Sequence, residues 1–429
     1  MTRFRLRLTA PPGASADEAK SSFYWLFGAQ SSFTTALLPN LGKLGPVPAL
    51  SIDLVRIAAT VYAADRSKKR TARGSDWNRR SFELEVPVSD ATVWAAVATD
   101  LESVLDFLTG DRWTLTFNED AAPAETVTTK TRSPKRVVLL SGGADSAIGA
   151  LVSRADLGDD EEHVLLSHFS ARTLAPIQRL VAEHLEILLP GPKQQHLPIH
   201  LSRNQKRLDG TTYPTESSSR SRSLLFLALG LAVASMDEVP LWIPENGFAS
   251  LNPPLGPERR GSLSTRTTHP AFLDGLATVL TTVGAHGMIE NPFADRTKGE
   301  MFTRAANLVG DQKAASLLSA TNSCSHTGQR AFAISPSTAC GVCFGCVVRR
   351  ASFHAAGLTD STTYISADGN AKLQAWLDSN SVEPSVRSFV ARGVLPRDLI
   401  AMSLPPTYPI AQALDLCRRG AAELAGLQL

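Results

Sequence analysis

Two groups of residues in this chain have the types and the spacing to do chemistry. The first is the run Ser141-Gly142-Gly143-Ala144-Asp145-Ser146. Paired glycines let the backbone approach an oxyanion and take conformations that a Cβ forbids. A helix starting here points its free N–H groups and its positive dipole end at the same spot. Ser141 and Ser146 add hydroxyl donors, and Asp145 either caps the helix or helps hold Mg²⁺ beside phosphates. The run therefore reads as an anion cradle. It is neither a Walker A loop, which needs GK[ST], nor a GxGxxG turn. The second group is Cys324, followed later by Cys340-x2-Cys343-x2-Cys346. Four thiolates close a tetrahedral Zn²⁺ site and leave no position open for water, so such a metal is structural. Iron–sulfur clusters also take four thiolates, but the fourth nearby Cys and Pro of a bacterial ferredoxin run are missing here. Zinc is the expectation, with His326 a bystander or outer partner. Cys417 stands apart in a helical stretch and reads as a buried thiol.

These residues need elements to position them. Val137–Leu140 is a short buried strand ahead of the cradle, and Ala147–Arg154 a helix behind it. His163–Leu166, His196–Leu201 and Val239–Ile243 read as further strands. From Leu174, the apolar residues Ile177, Leu180, Val181, Leu185 and Leu188 recur at helical spacing. This alternation predicts a parallel α/β sheet with right-handed crossovers. Upstream, Arg3–Leu8, Phe82–Val88 and Trp113–Phe117 read as strands, and Leu50–Tyr62 and Ala91–Leu108 as helices. That mixture predicts an N-terminal α+β domain over 1–132. Ala121–Pro134 is poor in large apolar residues and reads as a linker. The catalytic unit is expected over 133–360, with the cysteine knuckle at 324–346. A helical C-terminal extension is expected over 361–429.

Composition narrows the classes. Of 429 residues, 43% are hydrophobic and 20% charged, which suits a globular chain rather than a disordered one. A formal charge of +2 disfavours nucleic acid or an anionic membrane as the main partner. The longest apolar run, Leu224–Ala234, falls short of the about 20 residues a membrane span needs. The opening MTRFRLRLTAPPG has no sustained apolar stretch of the secretory kind, so a cytoplasmic protein is expected. Arg66–Arg80 holds seven basic residues and one acidic one. It is read as a solvated loop in preference to a phosphate patch.

The SGGxDS run resembles the PP-loop of N-type ATP pyrophosphatases, which cleave ATP between its α and β phosphates. The cradle, the Arg220 and Arg222 segment before LLFLALGLA, the step Thr297-Lys298-x-Glu300 and the knuckle SCS…CGVCFGC follow in order from about Lys135 to Gly357. In that order the set resembles the 7-cyano-7-deazaguanine synthase (QueC-like) family. The resemblance implies a PP-loop sheet flanked by helices and closed by a zinc knuckle. It also implies ATP, Mg²⁺ and Zn²⁺ as cofactors. In the implied chemistry, a 7-carboxy-7-deazaguanine carboxylate attacks the α-phosphate of ATP, giving an acyl-adenylate and pyrophosphate. An amine then displaces AMP. Activation is needed because oxide is a very poor leaving group and AMP a good one. Such catalysis is mostly positioning and charge neutralisation. Ser141, Gly142, Gly143, Asp145 and Ser146 are the expected nucleotide cradle, with Phe169 stacking on adenine. Lys298, Arg220 and Arg222 are the expected cations. A carboxylate can accept the N1–H and amine of a guanine-like base, which suggests Glu245 with Asn246 beside it and Glu258 in reserve.

The chain also departs from that family. Its second strand ends in SHFSAR, and its 244–270 loop is unusual. Its two flanking segments resemble additions in QueC-like proteins of bacterial anti-phage systems of the Qat type. There the acceptor is expected to be an amine on a partner protein rather than ammonia. The alternatives are a decorated nitrile-forming synthase using ammonia, a tRNA-modifying PP-loop enzyme and a non-catalytic nucleotide-binding scaffold.

Overall fold

The structure is a computed structural model that describes residues 1–9, 16–25, 31–35, 47–70, 79–119, 133–169, 174–192, 195–216, 220–256, 266–326, 332–335 and 338–427. Two sheets organise it. Strands β1 (Thr2–Arg7), β2 (Ser22–Tyr24), β4 (Ser81–Val88) and β5 (Arg112–Glu119) form the first, in the order β2-β1-β4-β5. Every neighbouring pair in it runs parallel. The expected α+β texture is therefore corrected to α/β: helices Ala49–Arg66 and Ala98–Thr109 are the crossovers that parallel pairing requires. The single helix expected over Ala91–Leu108 is two helices, Ala91–Ala96 and Ala98–Thr109. Val97 breaks them, while the buried Trp94 indole donates to Asp53 at 3.2 Å.

The second sheet has the order β10-β9-β6-β7-β8-β3. Its members are β6 (Arg136–Leu139), β7 (His163–Phe169), β8 (Gln195–Arg203), β9 (Leu241–Trp242) and β10 (Ile289–Glu290), with β3 (Phe33–Thr35) at the edge. From β6 to β10 all pairs are parallel, as the alternation predicted. The chain leaves β6 toward β7 and β8, then returns to the other side of β6 for β9 and β10. That reversal opens a crevice at the carboxyl ends of β6 and β9, where open α/β sheets bind ligands. The far edge is closed by β3, which pairs antiparallel with β8 in the register Phe33↔Arg203. The first 132 residues thus contribute a strand to the second sheet.

Side chains of β6 alternate between two cores. Val137 and Leu139 join a core that also holds Phe82, Leu84, Ile57, Leu227 and Leu231. This core fuses the two sheets around helices Ala49–Arg66 and Arg222–Ala234. Both helices are buried almost all round, which explains why Leu224–Ala234 carries no polar face. Val138 and Leu140 face the other way, onto helices Ala144–Ala155, Lys298–Val309 and Phe344–Ala355. A third core joins helix Gly247–Leu251 and helix Phe344–Ala355 to the C-terminal helices Glu383–Arg392 and Ile410–Gly426. Among the described residues no helix is long and apolar enough to cross a membrane.

The Arg66–Arg80 reading needs correction at its two ends. Residues 71–78 lie outside the described set, but Arg80 is buried and Arg70 nearly so. Arg80 pairs with Asp65 and, at 2.6 Å, with Asp111. Arg70 pairs with the same Asp111, also at 2.6 Å. Two of these basic residues therefore belong to an internal charge network and not to a solvated loop.

Candidate active site

The cradle braces itself. β6 ends at Leu139, the chain turns through Gly142 at φ +89°, and a helix begins at Ala144. Gly142 is required there, because a side chain is strained at that φ. The Ser146 hydroxyl donates to Gly143 O at 2.9 Å and lies 3.0 Å from Ser141 Oγ. Ser141 N–H donates to Ser146 Oγ at 3.2 Å, and Gly143 N–H to Ser141 Oγ at 3.3 Å. A second loop holds the first from outside. Asn322 N–H donates to Gly142 O at 2.9 Å, and Ala144 N–H to Ser323 Oγ at 3.4 Å.

Asp145 is where distant segments converge. It is buried, and one carboxylate oxygen lies 2.8 Å from Lys298 Nζ. The other accepts from Asn246 Nδ2 at 2.8 Å and from Asn246 N at 3.4 Å. Burial pushes the Asp145 carboxyl up, but the Lys298 charge and hydrogen bonds involving Glu245, Lys298 and Asn246 overcome it. The net result holds it down at about 2, so Asp145 is a carboxylate at every physiological pH. Lys298 is one of the three expected cations. It is buried and opens the helix Lys298–Val309. Thr297 and Glu300 flank it as a capping box, which gives the Thr297-Lys298-x-Glu300 step a structural reason of its own.

Glu245 and Asn246 follow β9. Asn291 clamps the backbone of Glu245 from both sides: its Nδ2 donates to Glu245 O at 2.9 Å, and its Oδ1 accepts from Glu245 N at 3.3 Å. Asn246 caps the helix Gly247–Leu251 through Ala249 N at 2.8 Å and donates to Glu245 Oε1 at 3.1 Å. The approach of this segment to the cradle depends on Gly149, where a Cβ would come within 2.1 Å of Pro244 Cγ.

A cavity of about 440 Å³ collects these groups. Ser141, Gly143, Asp145, Ser146, Arg222, Glu245, Asn246 and Lys298 all line it. The structure therefore brings together most of the expected site. Gly142 stands behind it, in the turn. Arg220 and Phe169 do not line it. Arg220 donates from Nη1 to Thr109 O at 3.0 Å and from its backbone N–H to Asp65 at 2.9 Å, so its guanidinium serves the junction between the sheets. Phe169 stacks on His200, with centroids 5.0 Å apart and planes 8° from parallel. Glu258 lies outside the described residues. Asn322, Ser323, Ser325, Ser250, Thr267, Thr268 and Phe344 also line the cavity, and sequence reasoning missed them. The SCS run was the available signal for two of them, since Ser323 and Ser325 flank a metal-type cysteine.

The cysteine cluster sits beside this cavity, and Cys324 lines both. All four sulfurs lie within 4.8 Å of one another. Cys340 and Cys346 are 3.9 Å apart, and Cys324 and Cys343 4.0 Å. A tetrahedron with Zn–S bonds of about 2.3 Å has edges of roughly 3.8 Å, so the residues fit zinc. Backbone N–H groups of His326 and Cys340 point at Cys324 Sγ, and that of Cys343 at Cys340 Sγ, each at 3.3 Å. These donors suit thiolates better than thiols. The His326 ring meets Trp376 edge-on, with centroids 5.5 Å apart, and is not one of the clustered groups. Cys417 is buried in helix Ile410–Gly426, as expected of an isolated thiol.

No protein-family model matches the chain. Among curated proteins it is similar to the 7-cyano-7-deazaguanine synthases of Cupriavidus necator and Cupriavidus taiwanensis, each 28% identical over 249 residues. Those alignments cover 54% of this chain and 98% of each relative. The synthase of Hydrogenovibrio crunogenus is 26% identical over 251 residues and is 96% covered. Nearly the whole length of these relatives thus finds a counterpart in about half of this chain, and the likeness supports a QueC-like relationship.

Proposed function

We propose that the protein activates a 7-carboxy-7-deazaguanine-type carboxylate with ATP. The observation that supports this most is the meeting of Lys298, Asn246 and Asp145 at the end of a glycine cradle. Backbone N–H groups at the start of helix Ala144–Ala155 and the hydroxyls of Ser141 and Ser146 hold phosphate oxygens, the long internal bonds of Gly143 and Ala144 and that of the Ser146 hydroxyl giving way as the phosphate arrives. Lys298 and Arg222 neutralise the charge that builds as the carboxylate oxygen bonds to the α-phosphorus and the bond to pyrophosphate breaks. Asp145 and Glu245 lie side by side and are the oxygen donors within reach of a Mg²⁺ ion accompanying ATP. Such an ion would supply further neutralisation of the phosphates. This place at the phosphate end fits Glu245 better to a cation than to a base edge. The planar base then lies against Phe344, with the hydroxyls of Ser250, Thr267 and Thr268 at hand.

In the second half-reaction an amine attacks the acyl carbon, AMP leaves, and the amine gives up a proton. We read the amine as one on a partner protein, in an anti-phage setting. The support is the flanking chain, for which relatives of nearly full length have no counterpart. The relatives' own names favour a second reading, a nitrile-forming synthase that uses ammonia. A tRNA substrate loses support, because Arg70 and Arg80 are spent on buried aspartates.

Incubation with ATP, Mg²⁺ and 7-carboxy-7-deazaguanine should release pyrophosphate in proportion to acyl-adenylate. No release with this acid removes the proposal. Adding ammonium then separates the two acceptor readings. A nitrile product favours the synthase. An adenylate that persists until a partner protein is added, with that protein gaining the acyl mass, favours protein modification.

A further inference from the structure

The C-terminal helix Ile410–Gly426 packs against two segments that line the cavity. Its Glu423 bites the two residues on either side of Lys298. The Thr297 hydroxyl donates to Glu423 Oε1, and Gly299 N–H donates to Glu423 Oε2 at 3.0 Å. Gly299 is part of the fit, because a Cβ there would collide with the Glu423 carboxylate. One turn away, Arg419 pairs with Glu300 at 2.5 Å and donates from Nη2 to Asp295 O at 3.0 Å. The same helix presses on the other wall of the site. A Cβ on Gly420 would sit 2.5 Å from the Phe248 ring, and Leu416 lies against Gly247. Gly247 and Phe248 follow directly on Glu245 and Asn246. One helix therefore touches the segment carrying Lys298 and the segment carrying Glu245.

We infer that Glu423 is a positioning residue for the adenylation step, and that helix Ile410–Gly426 is a working part of the active site rather than an appendage. A carboxylate at the first turn of a helix interacts favourably with the free N–H groups and the positive dipole end there. Here it holds the Thr297 side chain and the Gly299 backbone on either side of Lys298, which restrains the point from which the Lys298 side chain starts. Lys298 then needs little movement to keep 2.8 Å from Asp145 while phosphate oxygens arrive. Displacement of a catalytic group by about 1 Å can cost on the order of 100-fold in rate. The inference rests on the reading of Lys298 as a phosphate-facing cation, so its test carries a separate control.

Glu423→Ala, Glu423→Gln and Lys298→Ala are compared with the full chain in pyrophosphate release from ATP and 7-carboxy-7-deazaguanine. Amide exchange is followed in parallel in the peptide covering 297–302. Lys298→Ala should abolish release; if it does not, the functional reading fails, whatever Glu423 does. Glu423→Ala should lower kcat by roughly 10- to 100-fold, raise the KM for ATP less than threefold, and speed exchange at Gly299. Glu423→Gln keeps a carbonyl that accepts one of the two bonds and should recover most of kcat. Should Glu423→Ala fail to fold, Glu423→Gln with faster Gly299 exchange and a kcat reduced by a few fold carries the same expectation. Unchanged kcat in a folded Glu423→Ala, or a Gln variant as slow as the Ala variant with native exchange at Gly299, overturns the inference.

Discussion

At the scale of single residues, the site depends on a buried carboxylate whose two oxygens have separate duties. Asp145 faces Lys298 with one and Asn246 with the other. Removing one member of a buried pair strands the other and costs about 3–5 kcal/mol. Asp145→Ala should lower the urea midpoint accordingly, while the double variant Asp145→Ala/Lys298→Met regains part of the loss. The pH dependence has a definite sign. The folded carboxyl is held down at about 2, below its ordinary value of 3.8. Its contribution is therefore complete above the unfolded pKa and fades as acid approaches the folded one. The gap in urea midpoint between the native protein and Asp145→Asn should narrow from about pH 5 downward. A gap that stays constant with pH would remove the ion pair as its cause. Gly149→Ala drives a methyl against Pro244 Cγ and should destabilise by about 1–3 kcal/mol. It should also weaken adenylation, because Glu245 and Asn246 follow Pro244. Ser141–Ser146 and the cysteines were legible in the sequence because their chemistry is local. Asn291 and Glu423 were not, because an isolated Asn or Glu reveals its partner only when the chain folds back on it.

At the scale of elements, two loops and two helices convert separate folding units into one site. The Asn322–Ser323 strap holds the Gly142–Gly143 turn on one side and begins the cysteine cluster on the other. Asn322 Oδ1 accepts from Cys324 N at 2.8 Å while Asn322 N–H holds Gly142 O. Gly345 permits the close approach, since a Cβ there would strike Ser323 O. If the cluster holds zinc and the cradle ATP, as proposed, loss of the metal should therefore be felt at the cradle. Cys343→Ser should reduce bound zinc by elemental assay, lower the melting temperature and raise the KM for ATP. Normal ATP kinetics in a zinc-free, folded variant would uncouple the two. Asp65 plays the matching part for Arg222. Its Oδ2 accepts from Arg220 N at 2.9 Å, Ser221 N at 3.1 Å and Ser221 Oγ at 2.7 Å, ahead of helix Arg222–Ala234. The continuous apolar run Leu224–Ala234 marked that helix, and alternation and short apolar runs marked most strands. They could not show that Arg220 and Arg222, two positions apart, point to different places. Arg220 precedes the helix, its backbone N–H held by Asp65, whereas Arg222 is the first helical residue, so the two side chains leave the chain in different directions. The parallel order of the first sheet was equally hidden, since its alternating strands read the same in parallel or antiparallel pairing.

At the scale of the molecule, two buried histidines and one half-buried one set an acid limit. Burial pushes His168, His196 and His269 down to about 4, against an ordinary 6.5. Each is neutral in the fold, and unfolding lets it take up a proton below pH 6.5. Stability should therefore fall as pH drops from about 6.5 toward 4. Replacing His168 by Gln, which retains a donor for Leu201 O, should flatten part of that slope in urea titrations at each pH.

The strand β3 has a consequence for how the chain is made. Its Phe33 must find Arg203, a partner that leaves the ribosome only after a further 170 residues. Until then the N-terminal unit carries an unpaired strand, and once the central sheet forms, β8 presents an open edge beside it. Exposed edges recruit other strands, and such long-range pairings close late. The β3–β8 pair thus joins early-made chain to late-made chain. A fragment beginning at residue 133 would keep the cradle and the cysteines but expose the β8 edge, and self-association would be its characteristic failure.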